Sequence, residues 1–187
     1  MKIWNFIDYS NMEIKIRKEE VRDYDTVINV TELAFKNMPY ADGNEHILVK
    51  NLRMSDDFIP QLSLVAENNG KVIGHIMFSN SQIIDNDFVH DCLTLGPVSV
   101  HPDFQNMGIG SKLVREGLKI AKEMNYRIVH VLGHPEYYPR FGFKNAGEYG
   151  IRMPFAVPEG AFMVMELQDG GLQGVSGTVE YAKEFGI

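Results

Sequence analysis

The stretch best suited to chemistry is Val98-Ser99-Val100-His101-Pro102-Asp103-Phe104-Gln105-Asn106-Met107-Gly108-Ile109-Gly110-Ser111. A strand-like apolar run is stopped by Pro102, and a loop with two glycines then enters a helix. Glycines let the backbone turn tightly with several N–H groups pointing one way. The helix N-terminus adds unpaired donors and the positive end of its dipole. Such a loop holds a phosphate group without a basic side chain. Two phosphate ligands are excluded by spacing. A dinucleotide loop requires a third glycine three residues after Gly110, where this chain has Leu113. An ATP-type loop ends in Gly-Lys-Ser/Thr, whereas Gly110 is followed by Ser111-Lys112.

What remains is Gln-x-x-Gly-x-Gly behind Val-x-Val-x-Pro, and this string resembles the pyrophosphate motif of the GNAT superfamily of N-acetyltransferases. A second string, Leu132-Gly133-His134-Pro135-Glu136-Tyr137-Tyr138-Pro139-Arg140-Phe141-Gly142-Phe143, resembles the family's Tyr-x-x-x-Gly-Phe signature through Tyr138, Gly142 and Phe143. The longer string is similar to a bacterial YhbS-like branch of acetyltransferases. The resemblance covers residues 12–168 and is densest at 91–143.

The resemblance implies a mixed α/β fold of the acyl-CoA N-acyltransferase type. Its central mixed sheet would have splayed parallel fourth and fifth strands and helices on both faces. Acetyl-CoA would be the acyl donor and a primary amine the acceptor. The pyrophosphate would lie on the loop formed by Gln105, Asn106, Met107, Gly108, Ile109, Gly110 and Ser111. The pantetheine arm would pair like an added strand with the backbone of Val98 and Val100. Gly96-Pro97 stands just upstream, and proline cannot donate to a ladder, so the strand must bulge or open there.

The thiol of departing CoA should have a pKa of about 8.5, like cysteine's, so a nearby phenol can protonate or stabilise the leaving sulfur. The resemblance gives Tyr138 this catalytic role and gives an amide near Val98 the oxyanion. Packing under the cofactor is the other reading of Tyr138, and the one expected for Tyr137, Phe141 and Phe143. Many family members carry a glutamate where this chain has Leu93, which puts a directly acting base in doubt. Asp91, His90, His75, Glu67, His134 or a water chain are the alternatives. A non-catalytic acyl-CoA-binding module is the competing function, and a longer acyl-CoA donor a third.

Other chemistries find less support. On one strand, His130 and His134 would stand about 13 Å apart, too far to share an ion, so no metal is expected. Gly-x-Ser-x-Gly is absent. The sole cysteine, Cys92, cannot form an internal disulfide and lies several residues before the cofactor-contacting segment. Direct transfer is therefore expected, without an acetyl-cysteine.

Elements able to position these residues are legible from periodicity. Strands are expected at Glu13–Lys18, Leu62–Glu67, Val72–Ser79, Asp91–Val100, Arg127–Leu132, Phe143–Ala146 and Ala161–Leu167. Asn68-Asn69-Gly70 reads as a hairpin turn and Asn80–Asp87 as a polar bridge. Helices are expected at Asp23–Asn37, Asn44–Met54 and Gly108–Met124, with a Pro-rich turn and short helix at His134–Phe141. The strand–helix–strand unit from 91 to 132 implies a right-handed parallel crossover. Residues 1–187 read as a single domain, with 1–11 an N-terminal appendage, 12–168 the core and 169–187 an irregular, glycine-containing tail. The family resemblance implies that residues 36–61 shape the acceptor pocket; they include Met38, Tyr40, Asp42, Glu45, His46, Asp56, Asp57 and Phe58.

The 187 residues are 44% hydrophobic and 23% charged, enough to build a core without disulfides or metals. The net charge of −7 disfavours nucleic acid as a partner. No apolar run approaches the roughly 18 residues that span a bilayer, so no membrane association and a cytoplasmic protein are expected. A homodimer is compatible with the sequence.

Overall fold

A computed structural model describes residues 12–36, 38 and 43–187. Tyr40, Asp42 and the proposed appendage 1–11 lie outside the described residues. Strand β1 (Ile14–Lys18) leads into α1 (Tyr24–Phe35) and, later, α2 (Glu45–Leu52). Then come β2 (Phe58–Asn68), β3 (Lys71–Asp85), β4 (Phe88–Val100), α3 (Ile109–Glu123) and β5 (Ile128–Leu132). The chain ends with β6 (Lys144–Asn145), β7 (Ile151–Arg152), β8 (Phe162–Glu166) and β9 (Gly177–Glu180). The nine strands of the described residues join one sheet in the order β1-β2-β3-β4-β5-β8-β6, with β9 on the far end of β3 and β7 beside β9. Among the described strands only β4–β5 and β7–β9 are parallel. This is the expected mixed sheet.

The amphipathic stripe of α3 buries Ile109, Leu113, Val114 and Leu118 against one face. The opposite face is covered in two parts. Helices α1 and α2 close the first over Val27, Val49, Leu52, Val65 and Met77. The segment around β7 to β9 closes the second over Ile83, Cys92, Ile128, Phe162 and Val179.

Two expectations are corrected. Asn80–Asp87 is no polar bridge: β3 continues to Asp85 and pairs with β4 through Asp85↔Phe88, and the turn is Asn86-Asp87. Ser81 hid the alternation, because its side chain points inward and is 6% exposed. Its hydroxyl bonds inside the protein, at 3.0 Å from His130 Nε2 and 3.2 Å from Cys92 Sγ. The tail is not irregular either. Residues 177–180 form β9, which pairs Gln82, Ile83 and Ile84 of β3. Tyr181 and Ala182 then pack inward, and a 3-10 turn, Lys183–Phe185, follows against α2.

Candidate active site

The site is built where β4 and β5 part. Their parallel pairing is limited to Leu93↔Val129 and Thr94↔His130. Immediately beyond, β4 carries one extra residue against β3: Ile76 pairs Val98 while Phe78 pairs Leu95. That is a bulge at Gly96-Pro97, as the proline requires. It turns β4 out of register as the strands separate.

The strand edge left beside the gap can be read from the ladder. His101 N–H donates to the Ile73 carbonyl at 2.9 Å, so His101 and Ser99 face β3. By the two-residue alternation of a strand, the backbone groups of Val98 and Val100 face the gap. Both residues are partly exposed. The Gln105 side chain donates to the Val100 carbonyl at 3.1 Å, tying the loop to the strand end. The Val98 N–H and C=O and the Val100 N–H then remain as an edge for an extended ligand.

The loop climbs from this edge to the start of α3. A 3-10 turn, Pro102–Phe104, is capped by His101, whose Nδ1 accepts from the Asp103 N–H at 3.3 Å. Asn106 and Gly108 take φ of +62° and +77°. This left-handed pair lets the chain reverse into the helix, and at Gly108 no Cβ opposes it. Lys112 N–H makes the first helical bond, to Gly108 O at 3.0 Å. The amides of Ile109, Gly110 and Ser111 precede it as the helix's free N-terminal donors. The Ile109 side chain is 1% exposed and belongs to the core, so only its amide is left for a ligand.

Tyr138 stands on a 3-10 turn, Tyr138–Phe141, after β5. Its ring lies against Gly133, where a Cβ would come within 2.4 Å, so only glycine admits the tyrosine at the end of β5. Edge contacts from Tyr137 and Phe143, at 5.1 and 5.6 Å between centroids, hold the ring. Burial, with Tyr137 contributing, pushes the Tyr138 phenol above its ordinary pKa and keeps it protonated. Among the described residues no side chain hydrogen-bonds its hydroxyl. A protonated, unengaged phenol can donate to a leaving sulfur. Tyr137, expected only to pack, also reaches the loop: its hydroxyl lies 3.4 Å from Ser111 Oγ.

The candidate bases are dispersed. Leu93 is fully buried in the core. Glu67 is paired with Arg17 at 2.7 Å, and Asp91 accepts from Gln82 at 2.9 Å. His134 is exposed on the turn, and His90 lies well down β4. His75 is fully buried, and desolvation, assisted by the Arg53 charge, lowers its pKa to about 3. The histidine at the parting of the strands is instead His130, which the sequence raised only as a metal ligand and its spacing from His134 excluded. It is fully buried and neutral, with its pKa lowered by burial to about 3. Among the described residues no three His, Cys, Asp or Glu side chains cluster to hold a metal. Among the described residues no helix is long and apolar enough to cross a membrane.

Comparison with known proteins agrees with this geometry. Residues 29–143 match the model of the acetyltransferase (GNAT) family. The chain is 39% identical over 121 residues to the uncharacterized N-acetyltransferase YjhQ of Escherichia coli K12, covering 63% of this chain and 65% of YjhQ. It is 35% identical over 138 residues to the uncharacterized N-acetyltransferase YhbS of the same strain, covering 74% of this chain and 81% of YhbS. The crystal structure of Escherichia coli YhbS in complex with CoA superposes with a TM-score of 0.84 at 30% identity, covering 94% of this chain and 93% of that one. A GNAT family acetyltransferase from Brucella melitensis in complex with acetyl-CoA gives 0.76 at 35% identity, covering 92% of this chain and 98% of that one. Parted parallel strands, a glycine loop at a helix start and a sequence match across both lead to one assignment: this chain belongs to the GNAT family of acetyltransferases.

Proposed function

We propose that this protein transfers the acetyl group of acetyl-CoA to a primary amine by direct attack. The observation that carries the reading is the open β4 edge. Val98 and Val100 face the gap left by β5, and that gap leads to the free amides of Ile109, Gly110 and Ser111. An extended pantetheine arm fits the edge as an added strand, and a pyrophosphate fits the helix start. The two solved relatives named with CoA and acetyl-CoA support this use of the gap.

In the transfer, the amine nitrogen bonds to the carbonyl carbon and the carbon–sulfur bond breaks. The sulfur leaves with the electron pair and takes a proton from Tyr138, while the nitrogen gives up a proton to water. The Val98 amide is placed to donate to the carbonyl oxygen as negative charge grows there.

Thermal unfolding and calorimetric titration with acetyl-CoA test the reading. At a hundred times its Kd a ligand stabilises by about 2.7 kcal/mol, a rise of roughly 5–10 °C in Tm for a chain of this size. CoA should act similarly, whereas ATP and NAD should not. A Tm unmoved by both acetyl-CoA and CoA would overturn the assignment of the loop. Leu93 in place of a carboxylate favours a second reading, a binding module without activity. Such a module would be stabilised by acetyl-CoA yet release no thiol with any amine.

Cys92 tests the direct route. It is 1% exposed, and burial pushes its thiol up to about 12, so at neutral pH it is no nucleophile. Cys92→Ala is expected to retain amine-dependent thiol release. Loss of turnover with a normal melting curve would instead require a covalent acetyl-cysteine.

A further inference from the structure

Gly110 is a glycine without a conformational reason. It stands in the first turn of α3 with an ordinary right-handed backbone, where alanine is the better helix former. The positive φ that the loop needs is carried by Gly108 instead. What a Cβ at Gly110 would meet is the Tyr137 hydroxyl, at 3.0 Å, with Val100 Cγ2 next at 3.7 Å. The missing side chain leaves a notch in α3. The Tyr137 oxygen is seated there, 3.4 Å from Ser111 Oγ.

Tyr137 comes from the other side of the gap. Gly110 and Ser111 follow β4, whereas Tyr137 heads the Tyr138–Phe141 turn that follows β5. The same turn touches α3 again one helical turn on, where the Arg115 guanidinium lies 5.2 Å from the centre of the Phe141 ring. Positions 111 and 115 share a helix face. Tyr137 and Phe141 therefore dock the turn along α3 at two points. The Tyr137 ring meets Tyr138 edge-on at 5.1 Å and Phe141 at 5.3 Å between centroids. The Arg140 guanidinium lies 4.8 Å from its centre. In so close a packing a displacement of Tyr137 is passed on to Tyr138.

We propose that Tyr137 is a positioning residue: seated in the Gly110 notch, its hydroxyl sets the aromatic turn against α3 and thereby places the Tyr138 phenol beside the donor's sulfur. The proposal rests on the acetyl transfer and the role of Tyr138 argued above. It gives the second glycine of the loop a task separate from the pyrophosphate, which needs only the Gly110 amide. Alanine has that amide too.

CoA alone tests this, without an acceptor. A phenol donating to the sulfur favours the thiolate and so lowers the thiol pKa of bound CoA. Ultraviolet absorbance of the thiolate against pH, with the desulfo-CoA complex subtracted, reads that value. Tyr138→Phe should raise it by about 1, a roughly tenfold loss of thiolate at a given pH. Tyr137→Phe, which keeps the ring, should reproduce about half of the rise or more, with melting curve and calorimetric Kd for CoA unchanged. Gly110→Ala should act like Tyr137→Phe, because its methyl group displaces the hydroxyl. Neither change should add to Tyr138→Phe, since both act through that phenol. A thiol pKa unmoved by Tyr137→Phe or by Gly110→Ala, or rises that add to that of Tyr138→Phe, would overturn the proposal and leave the donor site standing. Weakened CoA binding in either variant would assign the contact to the pyrophosphate, with the same consequence. A thiol pKa indifferent to Tyr138→Phe would remove the acid and this proposal together. Failure of wild type to bind CoA would remove the transferase reading itself.

Discussion

Arg53→Ala is expected to destabilise the protein by about 3–5 kcal/mol, because it strands a buried carboxylate. Arg53 follows α2, and its guanidinium pairs with Glu19 where the side chains are 5% and 1% exposed. Glu19 also accepts from Ser63 Oγ at 2.7 Å, and Ser63 in turn meets His75 Nε2 at 3.1 Å. The other face of the guanidinium lies 4.1 Å from the centre of the Tyr24 ring. Without Arg53 the Glu19 charge has no counterion and the cavity no occupant, and these costs add. Denaturant unfolding should show the loss, and thermal unfolding a fall in Tm of roughly 6–20 °C. Replacing both partners at once, as Arg53→Met with Glu19→Leu, should recover most of it, since no isolated charge remains. A loss below about 1 kcal/mol in the single variant would mean that water reaches the pair as it does on the surface.

Tyr138→Phe is expected to lower kcat about a hundredfold while acetyl-CoA binds as before, within the range of a lost general acid. The substitution removes one oxygen and leaves the ring against Gly133, Tyr137 and Phe143, so folding should be untouched. In the proposed role the phenol meets the sulfur as charge develops on it, which the ground state lacks, so the effect belongs in kcat. Calorimetry with acetyl-CoA supplies the binding control. An unchanged kcat would assign Tyr138 to packing alone and direct attention to Tyr137, whose hydroxyl lies over the first turn of α3.

Much of this arrangement is legible in the chain itself. The helical period of residues 109–121, the proline at 102 and the glycines at 108 and 110 are local signals, and each names a local structure: strand, stop, turn, helix start. Gly96-Pro97 likewise forces a bulge whatever the partner strand. The same is true of the Tyr138, Gly142, Phe143 string, which places an aromatic turn after a buried strand. Such features are written in backbone preferences and in the side chain's own shape, so they survive without knowledge of distant neighbours.

Tertiary contacts decided the rest. Ser81 reads as a bridge residue until Cys92 and His130 supply the hydroxyl's partners from 11 and 49 residues away. Residues 177–180 form a strand only because the end of β3 offers an edge for them, and their glycine and threonine carry little signal of their own. His130 looks like any histidine in an apolar strand. Its position on the last paired rung follows from where β4 and β5 part, which depends on the bulge in one and the pairing of the other with β8. Periodicity reports which side of an element is buried, but a hydrogen-bonding partner far along the chain leaves no periodic trace. The glycine loop and the aromatic turn were therefore readable from residues 98–111 and 138–143, whereas the buried cluster of Ser81, Thr94, His130 and Tyr181 exists only in the folded molecule.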